Sequence, residues 1–106
     1  MTHATVKSAL EQEFEDACMS DVEECSKLGY YPHYFVEMVH QHGAVETAKR
    51  LIRDQHVPAG FTRLWEMKRL DMTLEACIHD NPKFHSLFDS QTLAACNARL
   101  ASVGYI

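Results

Sequence analysis

The stretch VKSALEQEFEDACMSDVEECSKLG, residues 6–29, decides the fold class. Its apolar residues recur every three or four positions, the spacing at which side chains share one face of an α-helix. They are Val6, Leu10, Phe14, Ala17 or Cys18, Val22, Cys25 and Leu28. Most of the acidic residues fall on the opposite face, and Gly29 suits the left-handed position that follows a helix. The pattern predicts one long acidic amphipathic helix over residues 1–28.

The rest of the chain shows the same periodicity in shorter runs, bounded by proline, glycine or capping residues. The predicted helices run from Pro32 to Gly43, from Ala44 to about Arg53, from Phe61 to about Lys68, from an N-cap at Asp71 to Pro82, and from about Gln91 to Val103. Phe84, Leu87 and Phe88 form an apolar anchor before the last helix, which Asp89 or Ser90 caps. Because no strand-like alternation occurs, the fold class is all-α. We expect a compact bundle of five to six helices, with residues 1–28 and the helical core 29–106 in one domain.

Composition and cysteine usage limit the broad class. The 106 residues suit one domain, and 46% hydrophobic with 24% charged residues is usual for globular proteins rather than disordered ones. No apolar run reaches the ~18 residues of a membrane span, and the first residues lack the apolar core of a secretory signal. We therefore expect a cytoplasmic location and no membrane partner. The cysteines are scattered without a C-x2-C pair, so free buried thiols are expected at Cys18, Cys25, Cys77 and Cys96.

The formal net charge of −5 comes from the first 27 residues, which hold seven acids and two bases. The later bases form two groups, Lys49/Arg50/Arg53 and Arg63/Lys68/Arg69. A nucleic-acid binder usually shows a basic stripe, whereas this chain is acidic overall. Glu46 precedes Lys49 and Arg50 at the spacing of helical ion pairs, which favours a solvated, self-paired face. A nucleic-acid-binding accessory protein that uses these bases is the alternative function.

Motifs for known enzyme chemistries are missing. The four glycines are too far apart for a phosphate loop, and neither G-x-S-x-G nor H-E-x-x-H occurs. Glu37, His40 and His42 are the candidates for a divalent metal site or for acid–base catalysis. The histidines also suit the negative end of a helix, where they need no such role. We expect no cofactor, metal or catalytic residue, and a small metal- or histidine-dependent enzyme is the third interpretation.

The two helices that meet at Gly43 invite comparison with the DNA-binding helix-turn-helix motif. Gly43 and Ile52 fit the motif, but Val39 is too bulky and Lys49 is charged where the motif is apolar. An ordinary helical hairpin is therefore favoured.

The leading hypothesis is a non-catalytic interaction domain that acts through a protein partner or by self-association. It depends on the acidic amphipathic helix and on a cluster of tyrosines around Pro32 that are prone to exposure. The expected partner-binding residues are Tyr30, Tyr31, Tyr34, His42, Glu46, Lys49, Arg50 and Arg53.

The runs YYPHYFVEMVHQHGAVETAKRLI, GFTRLWEMKRLDMTLEA, F-H-S-L-F and the closing V-G-Y resemble a small bacterial helical domain family. The resemblance covers about residues 29–105. It implies a bacterial helical domain, and it implies no activity, because the family supplies none. The signature positions are Tyr31, Pro32, Phe35, His42, Gly43, Glu46, Lys49, Arg50, Leu51, Gly60, Phe61, Leu64, Trp65, Leu70, Asp71, Thr73, Glu75, Phe88 and Tyr105. Within the matched stretch, Trp65 is expected to be the central core aromatic.

Overall fold

The first helix begins with a capping box in the computed structural model, which describes residues 7–106. The Ser8 hydroxyl accepts a hydrogen bond from the Glu11 N–H, and the Glu11 carboxylate accepts one from the Ser8 N–H. Helix α1 spans Ala9–Lys27 and ends with Gly29 at φ +89°. The predicted acidic helix and its glycine stop are confirmed, but the helix begins later than predicted, at Ala9, because Ser8 is extended and caps it. Val6, the first residue of the predicted apolar stripe, lies outside the described residues.

The all-α fold class is confirmed, since residues 7–106 contain helices and no β-strand. The remaining α-helices are α2 (His33–His42), α3 (Ala44–Arg53), α4 (Ala59–Glu66), α5 (Leu74–Asp80) and α6 (Ser90–Ser102). Two short 3-10 helices, Leu70–Met72 and Pro82–Leu87, precede α5 and α6. The Cα radius of gyration is 13.5 Å, close to the ~13 Å of a compact domain of about 100 residues.

The main core forms around Phe14 of α1, which is fully buried. The Phe14 ring meets the rings of Phe84 and Phe88 edge to face, with centroids 5.2 and 5.4 Å apart. The predicted anchor before α6 is thereby confirmed. Asp89 caps α6 as expected, because its carboxylate accepts the Thr92 N–H at 2.7 Å.

The cap of α5 differs from the prediction. Thr73, not Asp71, accepts the Ala76 N–H, at 3.1 Å. Asp71 lies in the preceding 3-10 helix, where its carboxylate accepts two hydrogen bonds from Arg69. The sequence pattern placed the cap two residues early because Asp71, a residue type favoured at N-caps, lies within the short 3-10 helix that precedes α5.

The expected central position of Trp65 is wrong, because 52% of its surface is exposed. Helix α4 has only eight residues, and it turns Phe61 and Leu64 toward the interior. Since one residue advances a helix by about 100°, Trp65 follows Leu64 onto the solvent side.

A single residue, Gly43, joins α2 to α3 with φ +81°. Glycine has no side chain to cap α3, so the cap comes from α1, where the Glu15 carboxylate accepts the Ala44 N–H at 3.1 Å. Glu15 also pairs with Lys7 at 2.7 Å. This contact fastens the α2–α3 hairpin against α1.

All four cysteines are free and buried, as predicted. Within the described part of the chain, no helix is both long and apolar enough to cross a membrane.

Candidate functional site

A groove of about 630 Å³ opens between α2 and α4, which is within the range of about 300–1,000 Å³ typical of ligand-binding cavities. The C-terminal half of α1, the end of α3 and the start of α5 complete its walls. Its lining is mostly apolar and includes Val22, Phe35, Met38, Leu51, Phe61 and Leu64.

The groove borders α4, a short helix that packs on the bundle through two buried residues, Phe61 and Leu64. A polar loop, residues 54–58, connects α3 to α4, and the Asp54 carboxylate uses one oxygen to accept the His56 N–H at 2.9 Å. Phe61 packs in the main core, whereas Leu64 packs in a small separate cluster in which only Cys25, Leu64 and Met72 are buried.

Three tyrosines predicted to bind a partner stand at this groove. The exposed fraction is 73% for Tyr34 and 43% for Tyr31. Tyr30 is half-buried, and the Arg63 guanidinium carbon lies 5.9 Å from the centroid of its ring. Tyrosines on an open apolar site suit contact with a partner, because their rings are apolar and their hydroxyls stay solvated.

One lining residue of the groove, Glu75, belongs to a buried ion pair. The Arg99 guanidinium donates to the Glu75 carboxylate at 2.7 Å, and the exposed fractions of the two side chains are 10% and 4%. Arg99 also donates to the carbonyls of Leu51, Ile52 and Asp54 at the end of α3. One side chain of α6 therefore fixes the positions of α3 and α5.

Three thiols, Cys18, Cys25 and Cys77, line the groove. A hydrogen bond with Cys77 and burial raise the pKa of Cys18, and burial raises the pKa of Cys25. The thiolate is the nucleophilic form of cysteine, so Cys18 and Cys25 are protonated and unreactive at neutral pH. Their role here is apolar packing.

An acidic group lies at the α1 side of the groove. Asp21 is half-buried there, and burial together with the neighbouring Asp71 carboxylate raises its pKa to about 6. Arg69 acts in the opposite direction, but its guanidinium is bonded to Asp71 at 3.1 Å. Asp21 is therefore an anion near neutral pH in an unfavourable place.

The structure divides the predicted partner-binding residues into two places. Tyr30, Tyr31, Tyr34 and Arg50 line the groove, whereas His42, Glu46, Lys49 and Arg53 do not. Arg50 pairs with Glu46 at 3.1 Å, which confirms the expected helical pair. Its guanidinium also lies 3.4 Å from the His42 ring nitrogen Nε2.

The two basic groups do not form a bare cationic stripe. Besides Arg50, Arg53 pairs with Asp89 at 2.7 Å and Arg69 pairs with Asp71 at 3.1 Å. Three of the six bases therefore form an ion pair with an acidic residue of the same chain.

The fold does not bring the candidate metal ligands Glu37, His40 and His42 into one site. Glu37 accepts a hydrogen bond from the Gln41 amide at 3.4 Å, and His40 is exposed. Among residues 7–106, no three His, Cys, Asp or Glu side chains are grouped so that they could hold a metal ion.

No family model, curated protein or solved structure matches the chain significantly. The resemblance to a bacterial helical domain family stays a prediction.

Sequence reasoning missed several residues of the groove. The sequence does not distinguish Asp21 from the other acidic residues of α1, and it predicts a loop at Val57 without indicating what the loop contacts. Glu75 gave a clearer signal, because a charged residue inside the apolar run Leu-Glu-Ala-Cys-Ile is expected to be exposed or paired.

Proposed function

We propose that this chain is a non-catalytic protein-interaction domain that binds an apolar segment of a partner protein in the groove between α2 and α4. The observation that carries the proposal is the groove itself, with exposed tyrosines at its mouth. Contiguous exposed apolar surface around a concave site is characteristic of protein-binding surfaces.

The exposed rim favours a polypeptide over a small ligand. Tyr31, Tyr34 and Val57 remain 43–73% exposed around the groove, and a small molecule within it would leave their outer surfaces in water. A partner segment that crosses the mouth would cover them. Large aromatic side chains at the centre of an interface are the usual hot spots.

The proposal includes a bacterial, cytoplasmic setting. Four free cysteines suit a reducing compartment, where thiols persist without pairing. The resemblance to a bacterial domain family supports the same setting.

The alternative functions have weaker support. Nucleic-acid binding would need a continuous row of free cationic groups, but Arg50, Arg53 and Arg69, three of the six candidate bases, are engaged with acids. A metal- or histidine-dependent enzyme would need convergent side chains, but Glu37 bonds Gln41 and His42 lies against Arg50.

The experiment compares two exposed aromatic residues in the full chain. Tyr34 lines the groove and Trp65 does not, so Tyr34→Ala and Trp65→Ala form a matched pair. Tagged wild type and both variants are used to capture proteins from native bacterial lysate, with and without nuclease. The captured protein is identified, and its affinity is measured with purified components.

We expect Tyr34→Ala to weaken that affinity by about tenfold or more, the effect of losing a hot-spot side chain, and Trp65→Ala to leave it unchanged. Equal binding by both variants would contradict the proposal. Capture that disappears with nuclease would favour the nucleic-acid alternative. Deletion of residues 1–27 is unsuitable as a control, because it removes Phe14 from the core.

A further inference from the structure

The residues that line the groove include more carboxylates than guanidinium groups, and this excess of negative charge indicates which kind of partner segment binds there. Three carboxylates line it, those of Asp21, Asp54 and Glu75, against the single guanidinium of Arg50. Glu75 is neutralised by Arg99, and Arg50 is neutralised by Glu46. Among the carboxylates and the guanidinium of the lining, the charges left without an ion-pair partner in the described residues are those of Asp21 and Asp54.

These two carboxylates lack a cationic partner in the described structure. Across residues 7–106, neither Asp21 nor Asp54 forms an ion pair. The Asp54 carboxylate accepts only the His56 N–H of its own loop. Two anions therefore flank an apolar cavity, one on α1 and one at the end of α3.

The surroundings of Asp21 add to the negative charge. Glu24 lies one turn further along α1, and both Glu24 and Asp71 raise the pKa of Asp21, while Arg69 opposes them. Arg69 is already bonded to Asp71. An incoming cation would supply the opposite charge that Asp21 lacks, in a partly desolvated place where the attraction is less screened than in open water.

We propose that the partner segment taken by this groove is basic, with an apolar anchor in the cavity and a flanking lysine or arginine beside Asp21 or Asp54. This inference rests on the proposed function. Charge complementarity of this kind selects partners and speeds association. A second copy of the chain is disfavoured as the occupant, because it carries the same net charge of −5.

Substitution of Val57, an exposed loop residue, can add either a positive or a negative charge beside the groove without removing a core side chain. Its side chain lines the groove, lies in the loop before α4 and is 52% exposed. Val57→Lys and Val57→Glu remove the same apolar contact and differ only in the sign of the added charge. Ser86 is exposed and does not line the groove, so Ser86→Lys and Ser86→Glu are controls with the same changes in net charge.

The probe is a random peptide library displayed on phage and selected on the purified full chain. Peptides that bind wild type and Trp65→Ala, but not Tyr34→Ala, are kept as groove-dependent. One of them is synthesised, and its dissociation constant is measured for the Val57 and Ser86 variants. Circular dichroism of each variant checks that it is folded.

We expect the groove-dependent peptides to combine apolar residues with an excess of lysine and arginine. Val57→Lys should bind the peptide about three- to tenfold more weakly than Val57→Glu, which corresponds to one or two exposed charge pairs. Asp21→Asn should weaken binding about two- to fivefold. The two Ser86 variants should differ by less than the two Val57 variants.

Groove-dependent peptides without a basic excess, or equal affinities of Val57→Lys and Val57→Glu, would overturn this inference and leave the proposed function standing. Failure to select any groove-dependent peptide would overturn both. A concentration-dependent dimer in sedimentation, abolished by Tyr34→Ala, would overturn the inference by assigning the groove to a second copy.

Discussion

The two hydrophobic clusters of this protein differ in how completely their helices meet. In the large cluster, α1, α5 and α6 converge and the ring of Phe14 is enclosed by those of Phe84 and Phe88. In the small cluster, only Cys25, Leu64 and Met72 are buried, and the eight-residue helix α4 divides its two buried residues between the clusters, with Phe61 in the large one and Leu64 in the small one. The groove is lined by Cys25, Leu64 and Met72 of the small cluster, whereas the Phe14, Phe84 and Phe88 rings of the large cluster do not line it. In this fold, the space for binding lies where one short helix fails to complete the packing.

The largest expected effect concerns the buried ion pair of Glu75 and Arg99. Arg99→Met should lower the free energy of unfolding by about 3–5 kcal/mol, because it leaves the buried carboxylate of Glu75 unpaired. Arg53 and Asp89 form a pair of the same 2.7 Å length that is half exposed. Arg53→Met should cost at most about 1 kcal/mol. Urea denaturation measures the free energy of unfolding of both variants. Equal losses of stability would show that the difference in burial between the two ion pairs does not affect their contribution to stability.

The clusters themselves can be compared with one matched substitution. Leu100→Ala in the large cluster should cost about 3–4 kcal/mol, because closely packed neighbours cannot collapse into the cavity. Leu64→Ala in the small cluster should cost about 2 kcal/mol, because the residue borders an open groove. The same denaturation experiment checks this, and a larger loss at Leu64 would reverse the comparison.

Asp21 should make the groove side sensitive to pH. Burial and Asp71 raise its folded pKa to about 6 from the ordinary value of 3.8, so the folded state binds its proton more tightly than the unfolded state does. Its contribution therefore destabilises the fold progressively as the pH rises from about 4 to about 6. Asp21→Asn should raise the free energy of unfolding by about 1–2 kcal/mol at pH 7, after allowance for solvent screening, and by little at pH 4. Urea titrations at the two pH values test this, and an equal change at both would contradict it.

The smallest expected effect concerns the end of α4. Lys68 has φ +61°, while glycine holds the matching left-handed position after α1 and after α6. Lys68→Gly should stabilise the protein by about 1 kcal/mol, since glycine adopts this conformation without a steric cost. Gly29→Ala should destabilise it by a similar amount, and an added Cβ there meets no atom within 4 Å. Thermal unfolding of the two variants should shift in opposite directions, and a shift in the same direction would rule out backbone conformation as the cause.

The sequence predicts those parts of the fold that depend on local rules. The apolar period of α1, the stop at Gly29 and the Asp89 cap are short-range features, and each is confirmed. Trp65 was misplaced because whether an aromatic residue faces inward depends on which neighbours a short helix meets.

The groove was only partly predictable for the same reason. Its tyrosines follow from the cluster around Pro32, but Asp21, Asp54 and Val57 join them from distant parts of the chain. That meeting depends on how α1, the polar loop and α2 come together in space. Periodicity within one helix carries no information about it.

The rate at which the buried thiols of the groove are alkylated can report how often this part of the protein opens. Alkylating reagents attack the thiolate, and burial keeps Cys25 protonated, so labelling requires an excursion that exposes it. Cys96 is an internal reference, because it lies outside the groove and burial raises its pKa to about 12. If Cys25 is alkylated faster than Cys96, the alkylation rate of Cys25 measures local detachment of α4. If both are alkylated at the same rate, that rate measures global unfolding.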